Sequence, residues 1–585
     1  MSFLYDVAVP EMALSDLIYQ CPAEIQVGAR VIVEVKKNLH AGFVLGLSKN
    51  NLSPDIKIKS IEGIIDAQSI IDPDLWDMAV YAGRVCLCGA GTALKIILPR
   101  PLIMGDKIFN QSKNFQHDKK IFHELDFFNP FDFERRNFYV NELENNKRTL
   151  ILFPRKEKAK EFFLMLPENL REQAVLWPSA GGNKLWLSWL SVNEKNFRIV
   201  IGTAGAVFAP LMPEKIIIED EANPAYVIPP VLNISARSLA GRRAAFLGAE
   251  FVVGGRIPSL KTFLRSKPEQ KIFPEKKNII LADIFHAKTR NEETHGIKGS
   301  IPLTFSLIKN TYRELAKNNT VIWILNRLGE ASEVFCDNCG KPVTCPNCKN
   351  LMRSENDGKI LRCRICGTVR ELPEKCENCG YKFFTGKRPG LEALEKIAGQ
   401  YYDKVQVYAD KYTRPKNNSL ILSTQRGLEL CEKINPSLIA WLDLDLELWR
   451  QGYDTRVNVF GLLWESYWSG REKNSERKIL VQSRKSGMKL ARFLYTGWEK
   501  FFPSELETRR EFDLPPFAFI IEIETEDITL REKLLDEFFD AGIFVMDPGD
   551  SSQPLYVNTN SLESVEKVLQ KFNSKRKLLK ITLRS

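Results

Sequence analysis

The chain has 585 residues, of which 44% are hydrophobic and 27% charged, and its formal net charge is +10. This length exceeds what one hydrophobic core accommodates, so we expect three or more domains. The composition is typical of a soluble globular protein, and no apolar stretch reaches the ~18 residues that span a bilayer, so a membrane protein is not expected. The positive charge suits a nucleic-acid partner, although a solvated surface with a small basic excess explains it equally well.

The first 102 residues are predicted to form one small domain. Residues 1–50 are rich in Val, Ile and Gly with partial alternation, which predicts β-strands, and residues 72–99 favour helix. The chain start lacks the basic and apolar segments of a signal peptide, so we expect a cytoplasmic protein. A polar, irregular stretch at 103–125 is interpreted as a linker.

Short apolar runs then alternate with helical patterns, which predicts parallel α/β sheets. We place one lobe at 126–266 and a second at 300–498, with a charged boundary over 267–300. The predicted strands are TLILF (149–153), FRIVIG (197–202), KIIIED (215–220) and FVVGG (251–255), then NNTVIWILN (318–326), VQVYAD (405–410), SLILST (419–424) and SLIAWLDLD (437–445). Residues 499–585 alternate strand and helix and are predicted to form an α+β domain.

A cysteine-rich island over 336–380 interrupts the second lobe. Eight of the 12 cysteines form four Cys-x-x-Cys pairs there, namely Cys336, Cys339, Cys345, Cys348, Cys363, Cys366, Cys376 and Cys379. Each such turn places two sulfurs on one metal, so four turns predict two four-thiolate zinc sites. Closed sites of this kind leave no position for water, so both are expected to be structural. Gly340, Gly367 and Gly380 follow three of the turns, where positive φ is expected.

The spacing of the pairs leaves their partners open. A nested arrangement joins the outer two pairs and the inner two pairs, whereas a sequential arrangement joins the first two and the last two. Disulfides or free thiols are a third interpretation, but they fit poorly with four such turns in a chain without a signal peptide.

Several segments match one family in order and spacing. They are VGARVIVEV…AGFVLGL, IGTAGAVFAPL, EDEANPAY, GGRIPSL, ILNRLGEASEVFC, SLIAWLDLDLELW, VQSR and RREFDLPPF. Together with the cysteine island they resemble the primosomal protein N′ family of replication restart proteins (PriA). The resemblance implies an N-terminal DNA-binding domain, two RecA-like lobes, a two-zinc insertion in the second lobe and a C-terminal α+β domain. The family's winged-helix domain is absent from this arrangement.

The resemblance also implies nested zinc pairing. Zinc 1 would be held by the outer cysteines and zinc 2 by the inner cysteines. The outer set is Cys336, Cys339, Cys376 and Cys379, and the inner set is Cys345, Cys348, Cys363 and Cys366.

The family hydrolyses ATP, but the phosphate-binding motif is missing from this chain. A P-loop needs G-x-x-x-x-G-K-[ST], and the corresponding stretch FFNPFD (127–132) supplies no glycine, lysine or hydroxyl. In the second acidic motif, Ala222 replaces the expected His, and ESYWSGRE (465–472) replaces the segment that would carry nucleotide-contacting arginines. We assign Arg471 no catalytic role. The chain thus resembles degenerate, actinobacterial-type members, for which we predict no ATP site and no catalytic residues.

The candidate DNA contacts lie in the N-terminal domain. Leu17, Ile18 and Tyr19 stand where the family carries Phe-Asp-Tyr, and Tyr19 is a candidate for stacking on a base. Lys36, Lys37 and His40 lie in a predicted turn and are candidates for phosphate contacts. A core tyrosine and a solvated basic turn are the alternative interpretations.

Family analogy also supplies protein partners. They are the single-stranded DNA-binding protein, for which Tyr81 and Arg509 are the aligned candidates, and the replicative helicase with its loading machinery. The leading hypothesis is a non-hydrolytic scaffold that binds forked and single-stranded DNA and promotes primosome assembly. One alternative is an ATP-dependent 3′–5′ DNA helicase with a rewired nucleotide site, and another is a zinc-ribbon adaptor that contacts only proteins.

Overall fold

The protein is represented by a computed structural model, and the description covers most of the chain. It comprises residues 2–10, 17–48, 57–106, 122–179, 181–194, 197–228, 234–284, 292–294, 297–299, 303–326, 333–354, 359–363, 366–385, 391–409, 415–448, 452–473, 475–548, 553–572 and 578–584. Most of the predicted linker, residues 107–121, lies outside this description. No helix within the described ranges is both long and apolar enough to cross a membrane.

The N-terminal domain is a six-stranded sheet with three helices. The sheet order is β5-β2-β1-β4-β3-β6. The elements are β1 Phe3–Ala8, β2 Leu17–Cys21, β3 Arg30–Val35, β4 Asn38–Leu47, β5 Lys59–Ser60, β6 Gly63–Ile64, α1 Pro73–Val85, α2 Ala90–Ile97 and α3 Arg100–Met104. The predicted helical stretch is two helices, because Leu87 and Gly89 have φ of 52° and 78° and turn the chain sharply between them.

The first lobe is a parallel sheet with helices around it. Its elements are β7 His123–Phe128, α4 Asp132–Leu143, β8 Thr149–Leu152, α5 Lys156–Met165, α6 Glu168–Arg171, β9 Ala174–Leu176, α7 Asn183–Glu194, β10 Ile199–Gly202, β11 Lys215–Ile218, β12 Val227–Ile228, β13 Ile234–Ser235, α8 Ala236–Leu247, β14 Glu250–Gly255 and α9 Leu260–Ser266. Strands β8, β10 and β11 are buried along their whole length, which explains their unbroken apolar sequences.

The second lobe contains the cysteine-rich insertion between β18 and α11. Its elements are β15 Ile279–Asp283, β16 Glu292–Thr294, β17 Ile297–Gly299, α10 Phe305–Ala316, β18 Val321–Ile324, β19 Phe335–Cys336, β20 Met352–Ser354, β21 Ile360–Cys363, β22 Val369–Glu371, β23 Phe384–Thr385, α11 Leu391–Ala398, β24 Val405–Tyr408, β25 Leu420–Ser423, α12 Cys431–Ile434, β26 Leu438–Trp441, α13 Asp445–Leu448, α14 Thr455–Trp468, β27 Lys478–Ser483, α15 Lys485–Ala491 and α16 Trp498–Glu511.

The two lobes share one topology. The first sheet has the order β7-β14-β11-β8-β10-β9 and the second has the order β15-β27-β26-β18-β25-β24. If the strands are counted along the chain within each sheet, both orders become 1-6-5-2-4-3, and all pairings are parallel. The expected pair of RecA-like lobes is therefore confirmed.

Two predicted boundaries need correction. Residues 279–283, which we placed between the lobes, pair with β27 as the edge strand of the second sheet. Helix α16, which we placed in the C-terminal domain, belongs to the second lobe. Trp498, Phe501 and Phe502 are buried in that lobe's hydrophobic cluster, and their aromatic face explains why the helix docks there.

The C-terminal domain is an antiparallel sheet of order β29-β30-β28-β31 packed on two helices. Its elements are β28 Phe519–Glu524, α17 Ile528–Asp540, β29 Val545–Met546, β30 Leu555–Thr559, α18 Leu562–Gln570 and β31 Lys580–Arg584. Leu87 of the N-terminal domain is buried in the core of this domain. The N-terminal and C-terminal domains are therefore in direct contact.

Candidate metal centres, nucleotide cleft and DNA-binding residues

The eight clustered cysteines form two groups of four. In each group the sulfur atoms all lie within 4.8 Å of one another, in the nested arrangement. The groups are Cys336, Cys339, Cys376 and Cys379, and Cys345, Cys348, Cys363 and Cys366. Neighbouring sulfurs are 3.3 to 3.7 Å apart. Four sulfurs at about 2.3 Å from a central zinc ion would be about 3.8 Å apart, so both groups fit that ion.

Each Cys-x-x-Cys turn is followed by a residue in the left-handed region. Gly340, Gly367 and Gly380 have φ of 71°, 71° and 72°, as expected from the sequence, and Lys349 has φ of 59° in the fourth turn. The amide of this residue donates a hydrogen bond to the carbonyl of the first cysteine of the turn. For example, the Gly340 amide donates to the Cys336 carbonyl at 2.9 Å. The local backbone therefore aims both sulfurs of a turn in one direction.

The environment of the sulfurs favours thiolates at the outer edge of each group. Hydrogen bonds from Thr368 lower the pKa of Cys366 to about 6. A hydrogen bond from the backbone of Tyr381 lowers the pKa of Cys379 to about 6. Burial raises the pKa of Cys336 to about 12. A divalent cation would favour the thiolate form of all four ligands, including the buried one.

A small hydrophobic core surrounds both groups and attaches the insertion to the second lobe. Val334, Met352, Leu361 and Phe384 are buried among the cysteines. A Cβ added at Gly340 would lie 2.9 Å from the Arg484 side chain, which follows strand β27. The first turn of the insertion therefore lies directly against the lobe.

At the position of the missing phosphate loop, an aspartate is paired with arginines of the same lobe. Strand β7 ends at Phe128, and α4 begins at Asp132 after a loop of three residues. The Asp132 carboxylate accepts hydrogen bonds from Arg256 at 2.8 Å and also pairs with Arg135. Although burial opposes its ionisation, these two guanidinium groups hold the pKa of Asp132 below its usual range. A phosphate bound here would lie beside a carboxylate whose charge Arg135 and Arg256 already balance.

The carboxylates of the second acidic motif also form contacts within the protein. Glu219 is paired with Arg135 at 2.7 Å and accepts a hydrogen bond from Tyr139 at 2.6 Å. Glu221 accepts hydrogen bonds from Arg237 at 2.9 Å and from the Ser259 amide at 2.5 Å. Both carboxylates thus have partners within the first lobe.

The same region joins the two lobes. Phe131 is only 9% exposed and packs edge-on against Trp468 at 5.4 Å, within the hydrophobic cluster of the second lobe. Lys158 of the first lobe forms an ion pair with Glu432 of the second, and Arg256 lies 3.6 Å from the same carboxylate. The Trp464 indole donates to the Arg256 carbonyl at 3.2 Å. Side chains of the two lobes thus pack together beside the position of the phosphate loop, next to a cavity of about 620 Å³ that Asp220, Glu221, Arg256 and Glu465 line.

The sequence did not reveal this role for Arg256, Lys158 and Glu432. GGRIP lies in a segment that matches the family, and no local pattern indicates that its arginine faces Asp132 across 124 residues. Arg471 is held by Tyr467 and Trp468, whose rings lie 4.7 and 5.2 Å from its guanidinium carbon.

The basic turn of the N-terminal domain is a two-residue hairpin loop. It joins β3 and β4, and Lys36 and Lys37 have φ of 47° and 68°. Both side chains are exposed, and His40 is half-buried on the adjoining strand opposite Val33. The structure thus brings the three candidate phosphate contacts together at one end of the sheet, where their role in DNA binding stays a prediction.

Replacing Lys36-Lys37 by Asn-Gly separates fold from function at this loop. Asn-Gly suits a turn with two positive φ angles, so the free energy of unfolding should rise by about 1 kcal/mol. If the lysines contact phosphates, affinity for forked DNA should fall, and the slope of log K against log salt should decrease by about 0.9 per lost contact. Fluorescence anisotropy over a salt series measures the affinity and the slope. Lys95→Gln, an exposed change on α2, is the control, and an unaltered affinity in the double variant would contradict the prediction.

The candidate stacking residue is placed differently from expectation. Tyr19 is 3% exposed, and its hydroxyl donates to the Glu34 carbonyl at 3.0 Å. Strand β2 buries its ring in the sheet core, so no ring face is free to stack on a base, and the core interpretation is the one that fits.

Tyr81 and Arg509 are not brought together. Tyr81 lies beneath Arg242, with 5.2 Å from ring centre to guanidinium carbon, in a cavity of about 470 Å³ that Arg84 and Glu566 also line. Arg509 is 4% exposed, donates to the carbonyls of Tyr453 and Pro515, and lines a different cavity. Its buried contacts give it a structural role.

Comparisons with known proteins agree with these features. A family model described as the PriA 3′ DNA-binding domain (3′BD) matches residues 6–99. The replication restart protein PriA of Haemophilus influenzae is 20% identical over 91% of this chain and 89% of its own length. That of Rickettsia conorii is 22% identical over 88% and 85%, and that of Bacillus subtilis is 24% identical over 62% and 49%. The match to the Bacillus protein thus spans about half of that relative's length.

Solved structures give looser similarities. RecG bound to a three-way DNA junction is 9% identical with a TM-score of 0.35, over 67% of this chain and 44% of its own. A DEAD box protein from Methanococcus jannaschii is 9% identical with a TM-score of 0.29, over 76% and 96%. Both superpositions are too loose to support a conclusion, so the fold assignment rests on the strand order of the two lobes. Residues 6–99 thus match the PriA 3′ DNA-binding domain, and the chain is similar to replication restart proteins PriA along most of its length.

Proposed function

We propose that this protein is a replication restart scaffold that binds stalled or abandoned forks without hydrolysing ATP. The observation that carries the proposal is the Asp132–Arg256 pair at 2.8 Å, which occupies the position of the phosphate loop in a chain that keeps a 3′ DNA-binding domain. The scaffold would retain the binding parts of the family arrangement, whereas the ion pairs of Asp132 with Arg135 and Arg256 would exclude the phosphates of a nucleotide. Such a scaffold would act at the nucleoid and promote primosome assembly and reloading of the replicative helicase.

We further propose that each cysteine group holds one structural zinc ion. The support is the nested geometry, with sulfurs 3.3 to 3.7 Å apart, and the absence of a fifth ligand position in a four-thiolate site. When bound, zinc would supply the cross-link that fixes an insertion with a very small hydrophobic core.

The protein partners of this scaffold are proposed from the family. The cavity around Tyr81 offers Arg84 and Arg242 beside an aromatic ring, and an acidic tail of a single-stranded DNA-binding protein would have to displace Asp77 and Glu566 from these arginines. Arg509 is not part of that cavity, so this proposal uses Tyr81 without it. The replicative helicase loader would bind elsewhere on the fork-bound protein.

An ATPase assay with forked DNA tests the proposal. We expect no DNA-stimulated phosphate release above the enzyme-free blank, while the same preparation binds the fork with an affinity that falls as salt is raised. Addition of ATP should leave the melting temperature unchanged, because a ligand that binds the native state stabilises it by mass action.

Two outcomes would contradict it. Robust stimulated hydrolysis would favour the helicase with a rewired nucleotide site. A lack of any salt-dependent DNA affinity would favour an adaptor that contacts only proteins.

A further inference from the structure

Helix α10 of the second lobe exposes two aromatic rings to solvent. Phe305 is 78% exposed and Tyr312 is 66% exposed, although a helix of this length normally buries such residues. The inward face is already satisfied, because Leu307 and Thr311 are buried and the Thr311 hydroxyl accepts a hydrogen bond from Trp323 at 2.9 Å. The exposed rings are therefore additional to the residues that dock the helix on its sheet.

The charges of α10 are divided between its two faces. The helix contains one carboxylate, Glu314, which is 4% exposed and paired with Lys478 at 2.7 Å. Lys309 and Arg313 are exposed on the outer face, and within the described part of the chain neither forms an ion pair. The outer face thus presents cations and aromatic rings without a carboxylate.

The exposed residues lie along one stripe. They recur at positions i, i+4, i+7 and i+8, which share one face of a helix. The Lys309 ammonium lies 5.7 Å from the centre of the Phe305 ring. Seven residues separate the two rings, so they lie about 10 Å apart along the helix axis.

A third exposed ring flanks the stripe. Tyr402 anchors the loop after α11 to α10, because its hydroxyl donates to the Ile308 carbonyl at 3.1 Å. The adjacent Tyr401 is exposed, and its ring centre is 6.3 Å from that of Tyr402. The aromatic surface thus continues from α10 onto the neighbouring loop.

We propose that this face of α10, defined by Phe305, Lys309, Tyr312 and Arg313, is a single-stranded DNA platform distinct from the N-terminal domain. Bases stack on exposed aromatic rings regardless of sequence, and adjacent cations neutralise the phosphates between them. The lack of a carboxylate on this face favours a polyanion over a basic peptide. The proposal rests on the DNA-binding function above and adds a second contact region, on the second lobe, for the strand unpaired at a fork.

Binding of fluorescein-labelled (dT)20 to the full chain, followed by anisotropy, tests the platform. Stacking is worth about 1–3 kcal/mol per base, so Phe305→Ala or Tyr312→Ala should weaken binding at least about fivefold. Tyr312→Phe keeps the ring and should bind like the parent. Lys309→Gln with Arg313→Gln should lower the slope of log K against log salt by about 0.7 for each lost contact with a single strand.

The control is Phe539→Ala, which removes an equally exposed ring from the C-terminal domain and should leave (dT)20 binding unchanged. Melting temperatures and zinc contents should match the parent, because Phe305 and Tyr312 are exposed side chains. If the α10 variants bind (dT)20 as tightly as the Phe539 variant, the platform is wrong. This result is also the one expected if a protein, and not DNA, covers this face. If the parent binds forks but not (dT)20, the platform alone is wrong. If it binds neither, the proposed function fails as well.

Discussion

Replacing Cys363 by Ser is expected to release one of two zinc ions and to unfold the insertion around it. Structural zinc contributes apparent binding energies of about 10–16 kcal/mol, and the insertion has few other buried side chains to hold it together. Metal analysis of the purified variant should give one zinc per chain in place of two. Cys21→Ala, a buried cysteine of the N-terminal sheet, is the control and should keep both ions.

Double substitutions distinguish nested from sequential pairing by stoichiometry. Cys345→Ser with Cys363→Ser removes two ligands of the same group in the nested arrangement, so one zinc should remain. Cys336→Ser with Cys345→Ser affects both groups, so no zinc should remain. Sequential pairing gives the opposite counts for these two variants. Two ions retained in the Cys363→Ser variant would show that this residue is not a ligand.

The fold was largely predictable because its signals are local. Fully buried parallel strands such as β8 and β25 give short unbroken apolar runs, and each lay within two residues of its predicted position. Cys-x-x-Cys turns with a following glycine likewise carry their geometry in four or five residues. The edge strand β15 was missed because it lies in a charged stretch and only one side of it is paired.

The site was less predictable because its contacts are distant in sequence. The missing P-loop motif predicts that the usual phosphate-binding groups are lost, but it does not indicate which contacts replace them. Asp132 and Arg256 meet only after both strands are in one sheet, and Glu432 reaches them from the other lobe. Tyr19 was chosen because it aligns with a family position, but the residues beside that position differ in this chain. Strand β2 points the ring into the core.

Replacing Arg256 by Met is expected to destabilise the joined lobes by about 3 kcal/mol or more, because it removes a buried cation that three partly buried carboxylates share. Arg256 contacts Asp132 at 2.8 Å, Glu432 at 3.6 Å and Glu465 at 4.0 Å. Chemical denaturation measures the loss of unfolding free energy. Lys147→Met, which breaks a solvent-exposed pair with Glu250, is the control and should cost no more than about 1 kcal/mol.

The deficit of the Arg256 variant should also depend on pH. Burial already raises the pKa of Glu465, and Arg256 is the first group that opposes this rise. A carboxyl whose folded pKa is raised weakens the fold as pH increases through the interval between its unfolded and folded pKa values. Without Arg256 this interval widens, so the difference from the parent should be large at pH 8 and should shrink as pH approaches the unfolded value of about 4.3.

This measurement also tests the proposed loss of motor activity. A nucleotide-driven motor must open and close its cleft, so ion pairs across that cleft contribute little to the resting stability of either lobe. In this protein the pairs of Arg256 and Lys158, with Phe131 inserted beside Trp468, join the two lobes beside the position of the phosphate loop. A loss as small as that of Lys147→Met would show that the cleft opens freely, and it would contradict a scaffold whose lobes are permanently joined.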